Sequence, residues 1–270
     1  MKYFDAHTHV NFVAYDEDRE ATILRARDAG VGMNVVGTQL DTSKAAVELA
    51  GKYENVFATI GLHPIHTSKS YHDEKELGVG GKEFTSRGEV FDRGAYEALG
   101  KHPRVIAVGE CGLDYFRLEE DTQKVQKQAF IEHIELANSL GKPLMLHVRD
   151  AYKDAFEILK AHAKVKGDVH FFAGTWEDAR KFLELGFTLS FTGVLTFTHD
   201  YNDVVKNTPL DMILSETDAP YVTPVPYRGT RNEPLYVQEV VQAIAGIRGE
   251  DIETVATQIL NNAKRVFRLP

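Results

Sequence analysis

The sequence predicts a (β/α)8 barrel with a helical region at its C-terminal end and a long loop after the third strand. Three observations predict it. Short apolar runs alternate with helix-like stretches from residue 3 to residue 216, and eight such runs can be counted. Several of them, MNVVGT, PLMLHV and MILSET among them, are nearly continuous in apolar residues, as expected of parallel strands covered on both faces. Histidines and carboxylates gather at the C-terminal ends of these runs, the face on which barrel enzymes carry their chemistry.

The elements follow in order. Residues 3–9 read as the first strand and 19–29 as a helix closed by Gly30. Residues 33–38 form the second strand, 43–53 a helix, 56–62 the third strand and 105–109 the fourth. The stretch 122–140 is a long helix with Phe130, Ile134 and Ala137 on one face, closed by Gly141. Residues 144–148 and 169–172 are the fifth and sixth strands, and the next helix opens on a capping-box pattern, Thr175 with Asp178 three residues on. It stops at Gly186; 187–191 and 212–216 are the last two strands, and 253–267 is a helix packed outside. Glycine suits each of these helix ends because it takes the left-handed conformation without penalty.

At 270 residues the chain could hold one barrel or two ordinary domains. It has no linker, low-complexity tract or short repeat, and residues 1–270 read as one domain. No apolar run approaches the ~18 residues that span a bilayer, and the start MKYFDAHTHVN lacks the apolar core of a secretory signal. The single cysteine, Cys111, forms no internal disulfide and fits a reducing compartment. A cytoplasmic protein with no membrane partner and no obligate protein partner is expected. The net charge of −9 argues against tight sequence-independent binding of nucleic acid, which usually needs a basic contact surface. Turnover of a phosphodiester at a metal centre stays compatible with it, because bound cations supply positive charge locally. Residues 64–94 break the pattern, with Gly78, Gly80, Gly81 and Gly88 among Lys69, Lys75, Lys82 and Arg87. This stretch would emerge on the C-terminal face, either as a lid over the site or as an inert insertion.

The chemistry-bearing residues carry the strongest signal. His7 and His9 share one side of a strand by its two-residue period. Glu110 ends VIAVGE, His147 ends PLMLH, His170 lies in DVHFF, and Asp218 follows MILSET. A lone buried histidine is more often a hydrogen-bonded core residue than a ligand, and His-x-His alone is weak. A carboxylate ending an apolar strand is harder to dismiss, since burying an unpaired charge costs several kcal/mol. Six such residues spread over five strands and converging on one barrel mouth point to divalent metal. Three protein ligands commonly hold one catalytic zinc, so six with a bridging carboxylate suffice for two ions. Mixed nitrogen and oxygen donors suit zinc, manganese or iron, whereas magnesium prefers more oxygen. Cys111 should face away from the barrel interior as a small apolar residue. His66, His72, His102, His133, His162 and His199 read as surface residues.

Taken together, His7-x-His9, Gly61-Leu62-His63-Pro64, Gly109-Glu110-x-Gly112-Leu113-Asp114-Tyr115, His147-x-Arg149-Asp150, Glu216-Thr217-Asp218-Ala219-Pro220-Tyr221 and Arg228-Gly229-x-Arg231-Asn232-Glu233-Pro234 resemble the motifs of TatD-type DNases of the amidohydrolase superfamily. The resemblance implies a (β/α)8 fold, two divalent ions (zinc, manganese or magnesium) and hydrolysis of phosphodiesters in DNA, with RNA as a further substrate, often from a 3′ end. It implies one metal on His7, His9, Glu110 and Asp218, and a second on Glu110, His147 and His170. Asp218 would also hold or deprotonate the attacking water. His63, Arg149, Arg228 and Arg231 would contact substrate; His63 could also protonate a leaving group or simply cap a loop, and the arginines could instead brace a loop through ion pairs. Two departures stand out: His170-Phe171-Phe172-Ala173-Gly174 replaces the family's His-Cys-Phe-Ser-Gly, and His147-Val148-Arg149 replaces His-Ser-Arg. The alternative on the same site is hydrolysis of an ester, lactone, amide or aminoacyl bond.

Overall fold

Eight parallel strands follow one another around the barrel in chain order. They are β1 (Tyr3–Thr8), β2 (Val31–Val36), β3 (Val56–Ile60), β4 (Val105–Asp114), β5 (Leu144–Arg149), β6 (Gly167–Val169), β7 (Thr188–Phe191) and β8 (Ile213–Ser215). The ring closes from β8 back to β1 through the Thr8–Ala219 bridge, where Asp218 N donates to His7 O at 2.9 Å and His9 N to Ala219 O at 2.7 Å. The computed structural model describes residues 1–69, 71–72, 84–86, 88–116 and 122–270.

Helices α1 (Arg19–Asp28), α2 (Leu40–Lys52), α3 (Arg93–Gly100), α4 (Thr122–Leu140), α5 (Tyr152–His162), α6 (Trp176–Glu184), α7 (Asn202–Asn207), α8 (Val237–Arg248) and α9 (Ile252–Phe267) lie between and after the strands. The capping box at Thr175 and Asp178 forms as its sequence predicts. Three helices, α3, α5 and α7, lie beyond those read from the sequence. Two of them, α3 and α7, are eight and six residues long, too short to display a helical period. No helix among the described residues is long and apolar enough to cross a membrane.

Two bulges decide which side chains reach the barrel interior. On β4, Val108 and Cys111 pair with Leu144 and Leu146, and all four belong to the core between strands and helices. β4 thus holds one more residue than β5 over this span, and the extra residue turns Glu110 inward. Bulges re-aim side chains in this way beside active sites. Gly109 makes it possible: its φ is +149°, and a Cβ there would stand 2.2 Å from Met145 O. The strand then resumes to Asp114, five residues past the expected end. On β1, Asp5 and Thr8 pair with Met33 and Val35, again one residue in excess, and His7 turns inward.

The N-terminal mouth is filled with hydrocarbon. Phe4, Phe57, Met145 and Leu214 from the strands pack with Phe267 and Leu269 from the end of the chain. The Phe4 ring lies 6.0 Å from both Phe57 and Phe267.

Candidate metal centre and active site

Glu110 stands at the middle of the opposite mouth, 3% exposed, and its two oxygens face two separate sets of donors. Oε2 lies 3.4 Å from His7 Nε2 and 3.7 Å from His9 Nε2. Asp218 Oδ1 completes that set, 3.5 Å from His9 Nε2 and 3.7 Å from His7 Nε2. Oε1 lies 3.0 Å from His147 Nδ1, 3.0 Å from His170 Nε2 and 3.1 Å from His63 Nε2. All six residues expected as ligands therefore meet at one point, with Glu110 between the halves.

The far nitrogens of these rings test whether the cluster suits a cation. His9 Nδ1 faces Val36 O at 2.9 Å, His147 Nε2 faces Asp114 Oδ2 at 2.9 Å, and His170 Nδ1 faces Glu216 Oε1 at 3.3 Å. An oxygen acceptor on one nitrogen fixes the N–H there, so a neutral ring offers a lone pair from the other. Three lone pairs then point at carboxylate oxygens or at one another, His147 Nδ1 and His170 Nε2 being 3.4 Å apart. Acceptors face acceptors, which is stable only around positive charge. The donor set fits divalent metal, and carboxylate or carbonyl partners behind the rings are the usual supports of metal-binding histidine. His63 differs: its Nδ1 accepts from Ile65 N at 3.2 Å, so Nε2 carries the proton and donates to Glu110.

The electrostatics agree. Burial opposes charge on Glu110, but His63, His170 and His7 hold its carboxyl well below the ordinary range. Burial likewise opposes charge on Asp218, and hydrogen bonding from His9 with the nearby imidazoles lowers it. His170 is disfavoured as a cation by burial, yet Glu110 and Glu216 raise it well above its usual value. At His63 burial prevails and pushes the ring down to about 4. The centre thus keeps two carboxylates ionised and attracts cations.

Several residues that hold the ligands escaped the sequence reading. Asp114 orients His147, and Glu216 orients His170 while accepting from Phe171 N at 2.6 Å. Ser190 Oγ sits 2.5 Å from Asp168 Oδ2 and 2.7 Å from Glu216 Oε2, and burial together with Glu216 raises Asp168 to about 7. Asp5 accepts from Thr217 N at 2.9 Å and Thr217 Oγ1 at 2.6 Å, tying β1 to the turn that carries Asp218. Asp114 and Glu216 lie inside recognisable motifs, but a strand-end acid that binds a ligand's far nitrogen looks the same in sequence as one that binds metal.

A cavity of about 620 Å3 opens above Glu110. His9, His63, His147, His170 and Asp218 form one wall, and Phe116, Arg149, Tyr152, Phe171, Tyr201 and Tyr221 line the rest. The Arg149 guanidinium lies 3.7 Å from the centre of the Phe116 ring. Arg228 and Arg231 do not line this cavity. Arg231 makes paired 2.7 Å bonds to Asp18 and another to Ala14 O, the bracing geometry that the motif also allowed. Arg228 donates to Thr223 O at 2.9 Å and covers the Phe197 ring at 4.0 Å. Two histidines read as surface residues are buried instead. His66 bonds Ser86 Oγ at 3.1 Å, and His133 is fully enclosed, bonding Ala129 O at 2.6 Å and Leu62 N at 2.9 Å. Cys111 is buried on the helix side of β4 as expected. Of the 64–94 loop, Ile65 and His66 line the cavity, while 70, 73–83 and 87, on which a lid would depend, lie outside the described residues.

Comparison with known proteins agrees with this chemistry. The family model described as TatD related DNase matches residues 4–268. An uncharacterized metal-dependent hydrolase of Bacillus subtilis, YabD, is 36% identical over 98% of this chain and 99% of its own. A protein of Erwinia billingiae named 3′-5′ ssDNA/RNA exonuclease TatD is 33% identical over 99% of each chain. Among solved structures, YjjV, a TatD homologue from Escherichia coli, superposes with a TM-score of 0.85 at 28% identity, covering 100% of this chain and 99% of its own. With the fold, the donor cluster and a family match over nearly the whole length in agreement, the chain belongs to the TatD-related DNase family and is a metal-dependent hydrolase.

Proposed function

We propose that this protein is a two-metal phosphodiesterase that removes nucleotides from the 3′ end of single-stranded DNA and also acts on RNA. The observation that carries the reading is the division of Glu110, one oxygen toward His7, His9 and Asp218 and the other toward His147 and His170. That arrangement supports one ion on each side of a bridging carboxylate. Divalent ions bound there would neutralise phosphoryl charge and make water easier to deprotonate. Asp218, kept ionised by its histidine neighbours, accepts the proton of the attacking water. Arg149 holds the phosphate, its guanidinium fork matching two of the oxygens, and His63 would add its Nε2–H once an ion bound to Glu110 releases that proton.

The cavity supports action on chain ends. Its ~620 Å3 is the size of a small-molecule pocket, roughly 300–1,000 Å3, and admits a terminus rather than a duplex. The Erwinia relative named as a 3′-5′ ssDNA/RNA exonuclease supports the same polarity. The test compares single-stranded DNA and RNA labelled at either end with a panel of carboxylic esters and lactones. Stepwise shortening of 5′-labelled DNA from its 3′ end is expected. Turnover of carbon esters alone would replace the reading with the ester hydrolase.

A further inference from the structure

Tyr221 stands half-buried beside the donors of the metal centre, and its hydroxyl is uncommitted. It lines the cavity beside His9 and Asp218, with its ring 6.5 Å from that of His9 at 67°. Among the described residues its phenol oxygen has no hydrogen-bond partner. Three tyrosines away from the cavity wall beside Asp218 find acceptors: Tyr15 donates to Asn232 O at 2.6 Å, Tyr96 to Glu89 Oε1 at 2.9 Å and Tyr115 to Asp154 Oδ2 at 2.9 Å, while Tyr152, on the same cavity, accepts from Ala173 N at 3.1 Å. The Tyr221 oxygen is not one of the enclosed side-chain atoms that lack a partner among the described residues, so it opens to the cavity. Tyr221 instead keeps its donor for whatever enters the cavity.

The backbone fixes where that donor stands. Tyr221 N donates to Asp218 O at 2.9 Å, which closes a turn starting at the ligand itself. The turn is bracketed by two non-glycine residues in the left-handed region, Asp218 and Val222, each at φ +53°. Such geometry at a β-branched residue persists only where the surroundings enforce it. Asn232 supplies the enforcement, donating from Nδ2 to Tyr221 O at 2.6 Å and to Thr217 O at 2.9 Å, while its N donates to Pro220 O at 3.2 Å. Tyr15 in turn holds Asn232 O. One anchor therefore positions the phenol and the Asp218 carboxylate together.

We propose that the Tyr221 hydroxyl is a catalytic residue that donates a hydrogen bond to the substrate oxygen on which negative charge builds during hydrolysis. This rests on the phosphodiesterase reading. The phenol keeps its proton throughout, and the proton lost by the attacking water goes to Asp218. A preorganised donor with no bond to give up stabilises the transition state at little reorganisation cost.

Tyr221→Phe removes one oxygen and leaves the ring. Manganese affinity of the metal-free protein would be measured by calorimetry, kcat and KM on single-stranded DNA and on bis(p-nitrophenyl) phosphate, and inorganic phosphate affinity on the manganese-loaded protein. The expected result is metal affinity within about twofold of wild type, kcat lower by about 10²-fold on both substrates, KM little changed, and weaker phosphate binding. Wild-type kcat and phosphate affinity in the variant would overturn the proposal, as would a loss of kcat matched by a loss of metal. If the wild type cleaves no phosphodiester, the functional reading fails by itself, and phosphate affinity still decides on Tyr221: equal affinity in the two proteins overturns it, and weaker binding in the variant supports the donor.

Discussion

The two mouths of this barrel are closed by opposite materials on the same strands. At the N-terminal end, Phe4, Phe57, Met145 and Leu214 meet Phe267 and Leu269, with the Arg104 guanidinium 4.1 Å over the Phe57 ring at the edge. At the C-terminal end, β1 and β5 present His7, His9 and His147 instead, around Glu110 and Asp218. Hydrocarbon burial stabilises without needing a partner. A ring of imidazole lone pairs around two carboxylates is unfavourable until a cation arrives, because each buried charge or acceptor must be compensated. The difference teaches which end carries stability and which carries chemistry, and it separates mutational effects that would otherwise be confounded.

The largest effect is expected at the bridge. Glu110→Gln replaces an ionised oxygen by a neutral amide between the two donor sets, so both ions should be lost and hydrolysis should fall to background, while thermal unfolding shows an intact fold. Elemental analysis beside rate measurement checks this. Two retained ions with normal rates would show that Glu110 bridges nothing.

Asp218→Asn breaks the same mouth differently. It keeps His147, His170 and Glu110, so much of the second ion should stay. If Asp218 is the base, as proposed, single-turnover hydrolysis should slow by about 10²–10⁴-fold. A normal rate would place the base elsewhere.

At the other mouth, Phe267→Ala should lower stability by about 3–5 kcal/mol through lost burial and a cavity. Metal affinity and kcat per folded molecule should stay unchanged. Denaturant unfolding and calorimetry on one sample measure both, and a coupled fall in metal affinity would erase the division between the ends.

The smallest effect contrasts two buried histidines. His170 is raised by carboxylates, whereas His133, with no acid beside it, is pushed down by burial to about 4. Its neutral form is favoured by folding, so the unfolded chain takes up a proton first, below its ordinary pKa of about 6.5. The stability contributed is complete above that pH and is lost as pH falls toward 4, by about 1–3 kcal/mol. His133→Gln should flatten urea stability between pH 7 and pH 4.5. An unchanged slope would assign the acid sensitivity to other groups.

Most of the barrel was legible because its strands are apolar runs and its ligands are residue types with no comfortable place at strand ends. Alternation alone misleads at Glu110, however. Counting inward from Val108 turns it outward, and only the extra residue at Gly109 corrects this. Register is set by the neighbouring strand, which a single sequence does not display. The supports Asp114, Glu216 and Ser190 were hidden for a related reason, since their role depends on which nitrogen of a distant ring they face. The partner of Arg231 was hidden in the same way: its motif does not display that Asp18, far away in sequence, meets both of its terminal nitrogens.

Under the proposed function, the C-terminal mouth would hold two divalent ions around Glu110 and hydrolyse substrate with them. The most direct measurement titrates manganese into protein verified metal-free by elemental analysis while following shortening of single-stranded DNA. The stripped protein should be inactive, and activity should rise to saturation at two ions per chain. Full hydrolysis in the metal-free protein would contradict it.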